Sequence, residues 1–486
     1  MKIQLVTKTF SEIRSDALII PIFAEEKMKI SEFPTVNEFL KLEPNFGKLF
    51  ESQLLLENGI RVMLLGVGKR QKVDFESLQN WVGTAVKTFA KKGKTISISL
   101  PRVDHLTADQ IGEAAAIGAE IALHDPAGEY KSDYEMTILN MIELVVERAD
   151  RGLQDGIKKG QIIAEGINMV RRLGDMPANE MTPTFFLTEA KKIAKDNNLK
   201  ISLLNETQAK KKGMGAFVGV AQGSDEPSYM IAIEYSGNIR TKEKWGLVGK
   251  GITFDTGGLS IKPASAMVGM KYDMIGAATA LAATVVLSKL KARVNIVAVM
   301  AVTENLVNGK ALKPNDIVKT YSGKSAEIFN TDAEWRLVLI DAVAYAEKDF
   351  KATKIIDLAT LTGAMIVALG DHITGVFSNN EDFATQLIEA GKLVGERHWM
   401  LPMDEDFNEM IKSEFADITN IGHGGSHPGA AGSITGAKFI EAGIQKSTPW
   451  IHLDIAGTAD DMKPKPFRGV GATGVEVKTL VQLINS

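Results

Sequence analysis

The sequence predicts an α/β protein of two domains, with a smaller N-terminal domain and a larger C-terminal one. At 486 residues the chain exceeds what a single hydrophobic core usually organises. Short, β-rich apolar segments alternate with helical patterns along both parts of the chain, which is typical of sheets covered by helices. We expect a mainly parallel sheet in the first domain and a central mixed sheet flanked by helices in the second.

The first domain, residues 1–150, is predicted from short apolar strands and the helices between them. The strands are residues 3–6, 17–22, 62–67 and 96–100, and the strand-like segment 142–147 closes the domain. A helix follows Thr107, whose hydroxyl suits an N-cap. Residues 66–69 could be taken for a phosphate loop, but they lack the full P-loop spacing. We interpret them as a turn at the end of a strand.

The second domain, residues 151–486, begins with a long helical pattern, and we place the domain boundary at its start. Strands and helices then alternate again, as they do in the first domain. The predicted strands are residues 201–204, 230–235, 247–254, 294–302, 355–358 and 451–455, and the predicted helices are residues 150–173, 185–197, 274–289 and 335–348.

Composition narrows the range of functions. A formal net charge of -4 without a long basic run disfavours nucleic acid or an anionic membrane as the main partner. The absence of cysteine excludes disulfides and thiolate metal sites, and it fits a reducing cytoplasm. The N-terminus alternates like a strand and has no signal-peptide core. The longest apolar run, residues 274–287, is too short and too rich in Ala and Thr to span a bilayer, so we interpret it as a buried helix.

Two acidic clusters between residues 245 and 336 organise the second domain. An ionised carboxylate in an apolar strand loses its water without gaining a partner, which is expensive. Several such carboxylates together indicate a counter-ion, for which divalent metals are the obvious candidates. The charged residues of these clusters are Lys250, Asp255, Lys262, Asp273, Asp332, Glu334 and Arg336.

The positions of these residues favour a metal centre. Lys250 and Asp255 lie near the end of a predicted strand, where open α/β sheets bind ligands. Asp332 and Glu334 lie on the same side of an extended segment that precedes a helix. Oxygen-rich donors without nearby His or Cys favour Mg²⁺ or Mn²⁺, with Zn²⁺ open as an alternative. Two ions sharing bridging carboxylates would relieve the repulsion and activate a water between them.

The basic residues of the clusters allow more than one interpretation. A lysine at a metal centre can be a neutral ligand if the cations lower its pKa, and otherwise it is an electrostatic catalyst. Alternatively, Lys250, Lys262 and Arg336 simply neutralise the acids. Spacing alone leaves these alternatives open.

Five motifs, in order, resemble the leucyl aminopeptidase family of cytosolic dimetal exopeptidases. They are GMGAFVGVAQGSDEP, VGKGITFDTGGLSIKP, MKYDM, NTDAE-x-RL and DLATLTGA. The resemblance covers the second domain from residue 166 to the end. It implies a cytoplasmic aminopeptidase that removes the N-terminal residue of peptides. It also implies a homohexamer, a dimer of trimers with its active sites facing an inner cavity.

The resemblance assigns metal ligands to five positions that match the family motifs. Two divalent cations, Mn²⁺, Zn²⁺ or Mg²⁺, would be held, with Asp255 and Glu334 bridging them. Asp332 would belong to the more exchangeable ion, whereas Lys250 and Asp273 would belong to the tighter one.

The resemblance also assigns catalytic and substrate-binding residues. Lys262 would polarise the substrate carbonyl and stabilise the tetrahedral oxyanion. Arg336 would hold a bicarbonate ion that acts as general base, and Leu361 would offer backbone groups to the bicarbonate and the substrate. An apolar pocket suited to Leu-like side chains would be lined by Met270, Asn330, Ala333, Thr360, Gly363, Ile421 and Ala456.

The chain departs from the family pattern at two places. Trp335 stands where the family has Gly between the Glu and the Arg. Its indole either crowds the bicarbonate or points away from it, and we expect a slower enzyme in which Trp335→Gly raises turnover. The loop after Ile421 is longer and richer in His, so His423 and His427 could form a metal pair. We interpret them as solvated residues at the rim of the pocket.

Two further functions remain as alternatives to a working aminopeptidase. Because of Trp335, the chain could be a weakly active or non-catalytic family member used for binding or assembly. Some relatives of the family bind DNA, but the acidic net charge counts against that role here. A dimetal phosphoesterase is the third hypothesis, and it predicts activity on phosphate esters and none on amides.

Overall fold

The chain divides into two units in the computed structural model, which describes residues 1–423 and 429–485. The first unit comprises Met1–Asn168 together with Met462–Val470, and the second comprises Met169–Asp461 together with Gly471–Ser486. The boundary predicted after residue 150 coincides with the start of the long helix Arg151–Asp175. The two units divide inside that helix, and a late segment of the chain returns to the first unit.

The first unit is built on a six-stranded sheet with the order β1-β6-β5-β2-β4-β3. Neighbouring strands are parallel except β3 and β4, which form a hairpin. The mainly parallel sheet predicted for this part of the chain is therefore confirmed. Its strands are β1 (Lys2–Val6), β2 (Ala17–Phe23), β3 (Ser52–Glu57), β4 (Ile60–Gly68), β5 (Thr95–Ser99) and β6 (Met141–Val145).

One helix of the first unit begins at the capping residue that the sequence predicts, Thr107. Thr107 accepts a hydrogen bond from the Gln110 amide at 3.2 Å, and the Gln110 side chain bonds back to the Thr107 amide at 2.9 Å. This capping box satisfies two amides that a helix start leaves unpaired, so the predicted N-cap is confirmed. The helices are α1 (Pro34–Leu42), α2 (Phe75–Phe89), α3 (Ala108–Ile121), α4 (Ala127–Tyr130) and α5 (Arg151–Asp175).

The late segment Met462–Val470 packs into the first unit. Lys87 of α2 donates to the carbonyl oxygens of Lys465 and Arg468, both at 2.7 Å. Phe467 is buried, with its ring centroid 5.9 Å from that of Phe50. The core of this unit therefore includes residues from the late part of the chain.

The second unit is built on an eight-stranded sheet with the order β15-β14-β17-β13-β9-β10-β8-β7. The central strands β17, β13, β9 and β10 run parallel, and antiparallel pairs flank them on both sides. The predicted mixed sheet is therefore confirmed. Its strands are β7 (Lys200–Asn205), β8 (Tyr229–Ser236), β9 (Trp245–Asp255), β10 (Asn295–Asn305), β13 (Lys354–Ala359), β14 (Thr374–Ser378), β15 (His398–Met400) and β17 (Trp450–Asp454).

Two small sheets accompany the large one. One has the order β11-β12-β16 and the other pairs β18 with β19. Both small sheets are formed by short segments that the sequence pattern did not predict as strands. These strands are β11 (Ile317–Lys319), β12 (Ser325–Glu327), β16 (Ile418–Thr419), β18 (Asp460–Asp461) and β19 (Gly471–Ala472).

Helices cover the second sheet, and α10 and α11 contact its central strands β9 and β10. The predicted helices at residues 185–197, 274–289 and 335–348 are all present within a residue or two. The helices of this unit after α5 are α6 (Pro183–Asp196), α7 (Glu206–Lys212), α8 (Gly215–Ala221), α9 (Ala264–Met267), α10 (Ile275–Lys289), α11 (Trp335–Lys348), α12 (Gly363–Leu369), α13 (Glu381–Leu393), α14 (Asp406–Glu409), α15 (Gly432–Glu441) and α16 (Val477–Ile484).

One stretch of the described chain, Ala264–Lys289, is long and apolar enough to cross a membrane by length and composition. However, 83% of its most apolar window is buried inside the structure, as in the core helix of a globular protein. The buried helix predicted for residues 274–287 is confirmed by α10.

Candidate active site

Three buried carboxylates meet at the carboxyl edge of the second sheet. Asp255 ends β9, Asp273 follows the short 3₁₀ turn Met270–Tyr272, and Glu334 immediately precedes α11. One carboxylate oxygen from each lies within 4.8 Å of the others. Three segments far apart in sequence are brought together there because parallel strands present their carboxyl ends at one edge.

Two lysines lie between these carboxylates. Lys250 Nζ is 2.7 Å from an oxygen of Asp273 and 2.8 Å from an oxygen of Glu334. Lys262 Nζ is 2.9 Å from an oxygen of Asp255 and also pairs with Asp332. The structure therefore brings together the five predicted metal ligands and the predicted electrophile Lys262.

Burial and repulsion perturb the pKa values of the acids. Burial raises the pKa of Glu334 to about 8, and the neighbouring Asp255 charge adds to the effect. Burial also raises the pKa of Asp273 to about 6, although Lys250 opposes the shift. For Lys250, burial lowers the pKa, but the charges of Asp273 and Glu334 outweigh it and the net shift is upward. Glu334 and Asp273 therefore hold a proton more readily than ordinary carboxyl groups do.

The donor set fits divalent cations. Four carboxylates face only two ammonium groups. Among the residues that the structure describes, the buried Asp273 Oδ2 and Glu334 Oε2 have no hydrogen-bond partner, a costly state that a bound cation would relieve. The donors are hard oxygens with a lysine nitrogen beside them, which suits Mg²⁺, Mn²⁺ or Zn²⁺.

Asn305, at the end of β10, orients Asp255. Its amide nitrogen donates to Asp255 Oδ1 at 2.8 Å and to the Thr331 carbonyl at 3.1 Å. The Gly257 amide donates to the same carboxylate oxygen at 2.8 Å. Sequence reasoning missed Asn305, although a polar residue ending a buried strand beside β9 was a usable signal. Such hydrogen bonds hold a ligating carboxylate in one orientation.

We expect Asn305→Ala to weaken metal binding by about ten- to a hundredfold, because Asp255 loses the side chain that orients it. Titration of the metal-free protein with Mn²⁺ measures the effect. Asn308→Ala is the matched control, since its half-buried side chain accepts a local hydrogen bond from the Lys310 amide and forms no hydrogen bond with the acids of the described site. An affinity within twofold of wild type for Asn305→Ala would show that this amide supports the fold alone.

The loop that carries Asp332 and Glu334 is held by Asn420, a fully buried residue after β16. Asn420 Oδ1 accepts hydrogen bonds from the amides of Phe329 at 2.8 Å and Asn330 at 3.2 Å. Its amide nitrogen donates to the Asn330 carbonyl at 2.5 Å. Asn420 was also missed, because nothing local in the sequence links it to a loop ninety residues earlier.

The loop after β13 is fixed by contacts to two acids. Thr360 Oγ1 donates to Asp273 at 2.6 Å, and its carbonyl accepts from Lys250 Nζ at 3.2 Å. Asp454, at the end of β17, accepts hydrogen bonds from the Thr362 hydroxyl at 2.9 Å and from the Leu361 amide. The Leu361 N–H therefore already has a carboxylate acceptor.

The residues predicted to line the substrate pocket lie on segments that also carry or anchor the acids. Met270 begins the turn before Asp273, and Asn330 and Ala333 lie in the loop of Asp332. The remaining members are Thr360 and Gly363 around the start of α12, Ile421 after β16, and Ala456, whose amide donates to Asp454 at 3.1 Å.

Histidine contributes nothing to this carboxylate group in the residues that the structure describes. His423 is exposed, with its ring centroid 5.5 Å from that of Phe329. His427, the other half of the hypothetical metal pair, lies outside the described residues. His452 is a buried core residue that contacts Asp357.

Arg336 is buried beside the acids, with its guanidinium only partly engaged. Burial lowers the pKa of Arg336 to about 9, although Glu334 and Asp454 favour its charged form. In the part of the chain that the structure describes, its Nε and Nη1 atoms have no hydrogen-bond partner. The indole of Trp335 is 3% exposed, and the Arg336 Cζ atom lies 3.9 Å from the ring centroid. The sequence left the direction of the Trp335 ring open, and in the structure the ring is buried in the core.

A mixed sheet with a buried, carboxylate-rich site at its carboxyl edge fits a protein that holds divalent cations at that edge. Comparison with known proteins then narrows the class. The model described as "Cytosol aminopeptidase family, catalytic domain" matches residues 168–481, and the model for the family's N-terminal domain matches residues 52–133. The chain belongs to the cytosol aminopeptidase family, which confirms the resemblance and makes the protein an aminopeptidase.

Individual relatives support the assignment of the chain to this family. A protein of Alkaliphilus oremlandii named "Probable cytosol aminopeptidase" is 38% identical, over 100% of this chain and 99% of the relative. A Rickettsia bellii protein of the same name is also 38% identical, over 97% and 94%. Among solved structures, a tomato leucine aminopeptidase mutant has a TM-score of 0.87 at 31% identity, covering 100% of this chain and 96% of the other. The bottromycin maturation enzyme BotP in complex with Mn has a TM-score of 0.86 at 26% identity, covering 97% and 99%.

Proposed function

We propose that the protein hydrolyses the N-terminal peptide bond of peptides, preferring Leu-like apolar first residues, with two divalent cations per subunit. The observation that carries this proposal is the excess of buried carboxylate charge around Lys250 and Lys262, with two oxygens left unpartnered. Buried acids in such excess are stable when cations are bound.

Each charged residue has a task in this proposal. Asp255 and Glu334 would serve both cations, Asp332 would hold the more exchangeable one, and Lys250 and Asp273 would hold the tighter one. When bound, such a cation pair activates a water for attack and polarises the scissile carbonyl.

Lys262 is the electrophile of the proposal. Its ammonium already bridges Asp255 and Asp332 in the structure. The same charge, facing a carbonyl oxygen, stabilises the negative charge that develops there during attack. Burial lowers the pKa of Lys262, but the charges of Asp255 and Glu334 and the hydrogen bond to Asp332 outweigh burial, and the net shift is upward.

Arg336 holds bicarbonate as the general base in this proposal. Among the residues that the structure describes, Nε and Nη1 of the buried guanidinium have no hydrogen-bond partner, so Arg336 keeps donors free for a small oxyanion. Bicarbonate held there is placed to take the proton of the attacking water.

Other features of the proposal rest on the family. Mn²⁺ is the first metal to test, because the similar BotP structure is a complex with Mn, and Zn²⁺ and Mg²⁺ are the alternatives. Apolar residues such as Met270, Ala333 and Ile421 suit an apolar first side chain. We also propose that the protein acts on peptides as a cytoplasmic homohexamer.

Hydrolysis of leucine p-nitroanilide by the purified protein, with and without added Mn²⁺, tests the function. We expect activity that disappears with a chelator and returns with Mn²⁺. A panel of p-nitroanilides with Leu, Met, Ala, Glu and Lys tests the side-chain preference, for which Leu and Met should give the highest kcat/KM. Hydrolysis of p-nitrophenyl phosphate without amide hydrolysis would support the phosphoesterase hypothesis instead. Metal binding without either activity would support a non-catalytic role.

A further inference from the structure

The packing of Trp335 is unlike that of a residue that blocks a site. Its ring lies in the core of the second unit, among residues from β13, β17 and α15. The ring plane is within 8° of that of the His452 imidazole, with centroids 6.3 Å apart. His452 is itself held by Asp357, which also accepts a hydrogen bond from Trp450 Nε1 at 2.5 Å. The indole thus rests on a fixed aromatic layer.

Gly436, in the middle of α15, provides the space that the indole occupies. A Cβ atom at this position would lie 2.1 Å from Cη2 and 2.8 Å from Cζ2 of Trp335. It would also lie 3.1 Å from Nη2 of Arg336. Glycine is unfavourable inside a helix, so its presence at a buried helical position calls for a packing reason. Here the reason is close contact with both the indole and the guanidinium.

The contact between Trp335 and Arg336 leaves the guanidinium donors available. An aromatic ring binds a guanidinium through its flat face, whereas the N–H groups lie in the plane of the cation. Arg336 Cζ is 3.9 Å from the ring centroid, and no described residue accepts a hydrogen bond from Nε or Nη1. Stacking therefore fixes the plane of the guanidinium and leaves its N–H groups free to donate hydrogen bonds.

Loss of the indole would change what Arg336 can do. Glu334 and Asp454 both attract the guanidinium electrostatically. A guanidinium that no aromatic ring supports is free to turn toward either carboxylate and to donate its hydrogen bonds to it.

We infer that Trp335 and Gly436 form an interlocked pair that positions Arg336 to bind a small planar oxyanion. Trp335 is a positioning residue, because it acts through Arg336 and not on the substrate. The inference rests on the proposed function, in which Arg336 holds bicarbonate. It also reverses the expectation from the sequence: removing the indole should weaken the site and not relieve it.

Variants that separate the two partners test the inference. Gly436→Ala forces the outer edge of the indole to move. Trp335→Phe keeps an aromatic face but lacks that outer edge. The double variant Trp335→Phe/Gly436→Ala should therefore accommodate the added methyl group. Gly432→Ala, in the same helix, is the matched control, because a Cβ atom there would meet no atom of the described residues within 4 Å.

Two readouts are measured on the Mn²⁺-loaded protein in degassed buffer with defined bicarbonate. The first is bicarbonate binding, followed by tryptophan fluorescence and by thermal shift. The second is kcat and KM for leucine p-nitroanilide as a function of bicarbonate. We expect Gly436→Ala to raise the half-saturating bicarbonate concentration on the order of tenfold, as the loss of a buried cation–π contact implies. The KM for the substrate and the Mn²⁺ content should stay within twofold of wild type.

The double variant distinguishes a positioning role of Trp335 from a general loss of protein stability. Recovery of bicarbonate binding to within about threefold of wild type supports the interlock. If folded Gly436→Ala binds bicarbonate as wild type does, or if the double variant recovers nothing, the inference is wrong. If wild type hydrolyses the substrate but binds no bicarbonate, the oxyanion role of Arg336 and this inference both fail, while the aminopeptidase function stands. Absence of hydrolysis in a wild type that binds bicarbonate normally, with the expected variant pattern, overturns the proposed function alone.

Discussion

Replacing Asp255 with alanine is expected to remove both bound cations and to reduce turnover to background. Asp255 is the carboxylate shared by the most partners in the site. One of its oxygens pairs with Lys262, and the other accepts hydrogen bonds from Asn305 and Gly257. A carboxylate that bridges two ions serves both of them, so its removal leaves neither with a complete set of ligands.

Metal analysis of Asp255→Ala after dialysis against Mn²⁺, together with the leucine p-nitroanilide assay, measures the effect. Asp255→Asn separates charge from shape, because it keeps the size of the side chain and removes its charge. Asp404→Ala, at an exposed position, is the control for a lost aspartate elsewhere. Two equivalents of Mn²⁺ per subunit in Asp255→Ala would rule out the bridging assignment.

Lys262→Ala is expected to retain both cations and to lose turnover by a factor of about 10²–10³, the usual cost of one oxyanion-stabilising group. Lys262 pairs with Asp255 and Asp332 but is not needed to complete either carboxylate as a metal ligand. The loss should fall on kcat and on kcat/KM equally, since the interaction is made in the transition state.

Metal content and steady-state kinetics of Lys262→Ala distinguish its possible roles. Lys392→Ala, on the exposed side of α13, is the matched control. A Lys262→Ala protein that loses Mn²⁺ but keeps its activity per bound metal would identify Lys262 as a ligand or a structural charge. Either result decides between the roles that the sequence pattern left open.

Much of the fold was predictable because the central strands are long and apolar. All residues of β10 are buried, as are nearly all of β9, and residues 296–302 of β10 form an unbroken apolar run. Short strands such as β16 and β18 have two residues each and carry no periodic signal. The hairpin of β3 and β4 was missed despite its Asn58-Gly59 turn, in which both residues have positive φ.

The site was predictable to the extent that its residues lie in recognisable local motifs. The acids and lysines between residues 250 and 336 were found because buried charge in apolar sequence is conspicuous. Asn420 and Asp454 were not found, because their partners become neighbours only through long-range pairing of the sheet. The orientation of Trp335 depends in the same way on Gly436, so the local sequence could not decide it.

The late segment Met462–Val470 has a consequence for the order of events during synthesis. Domains generally fold as units, with the N-terminal one first as the chain leaves the ribosome. Here Phe467 and the carbonyls that receive the Lys87 ammonium belong to the N-terminal unit but are translated near the end. The ribosome has by then made the strands of the eight-stranded sheet, including β17. The first unit therefore lacks part of its core until residues 462–470 have been synthesised, and the two units are completed at almost the same time.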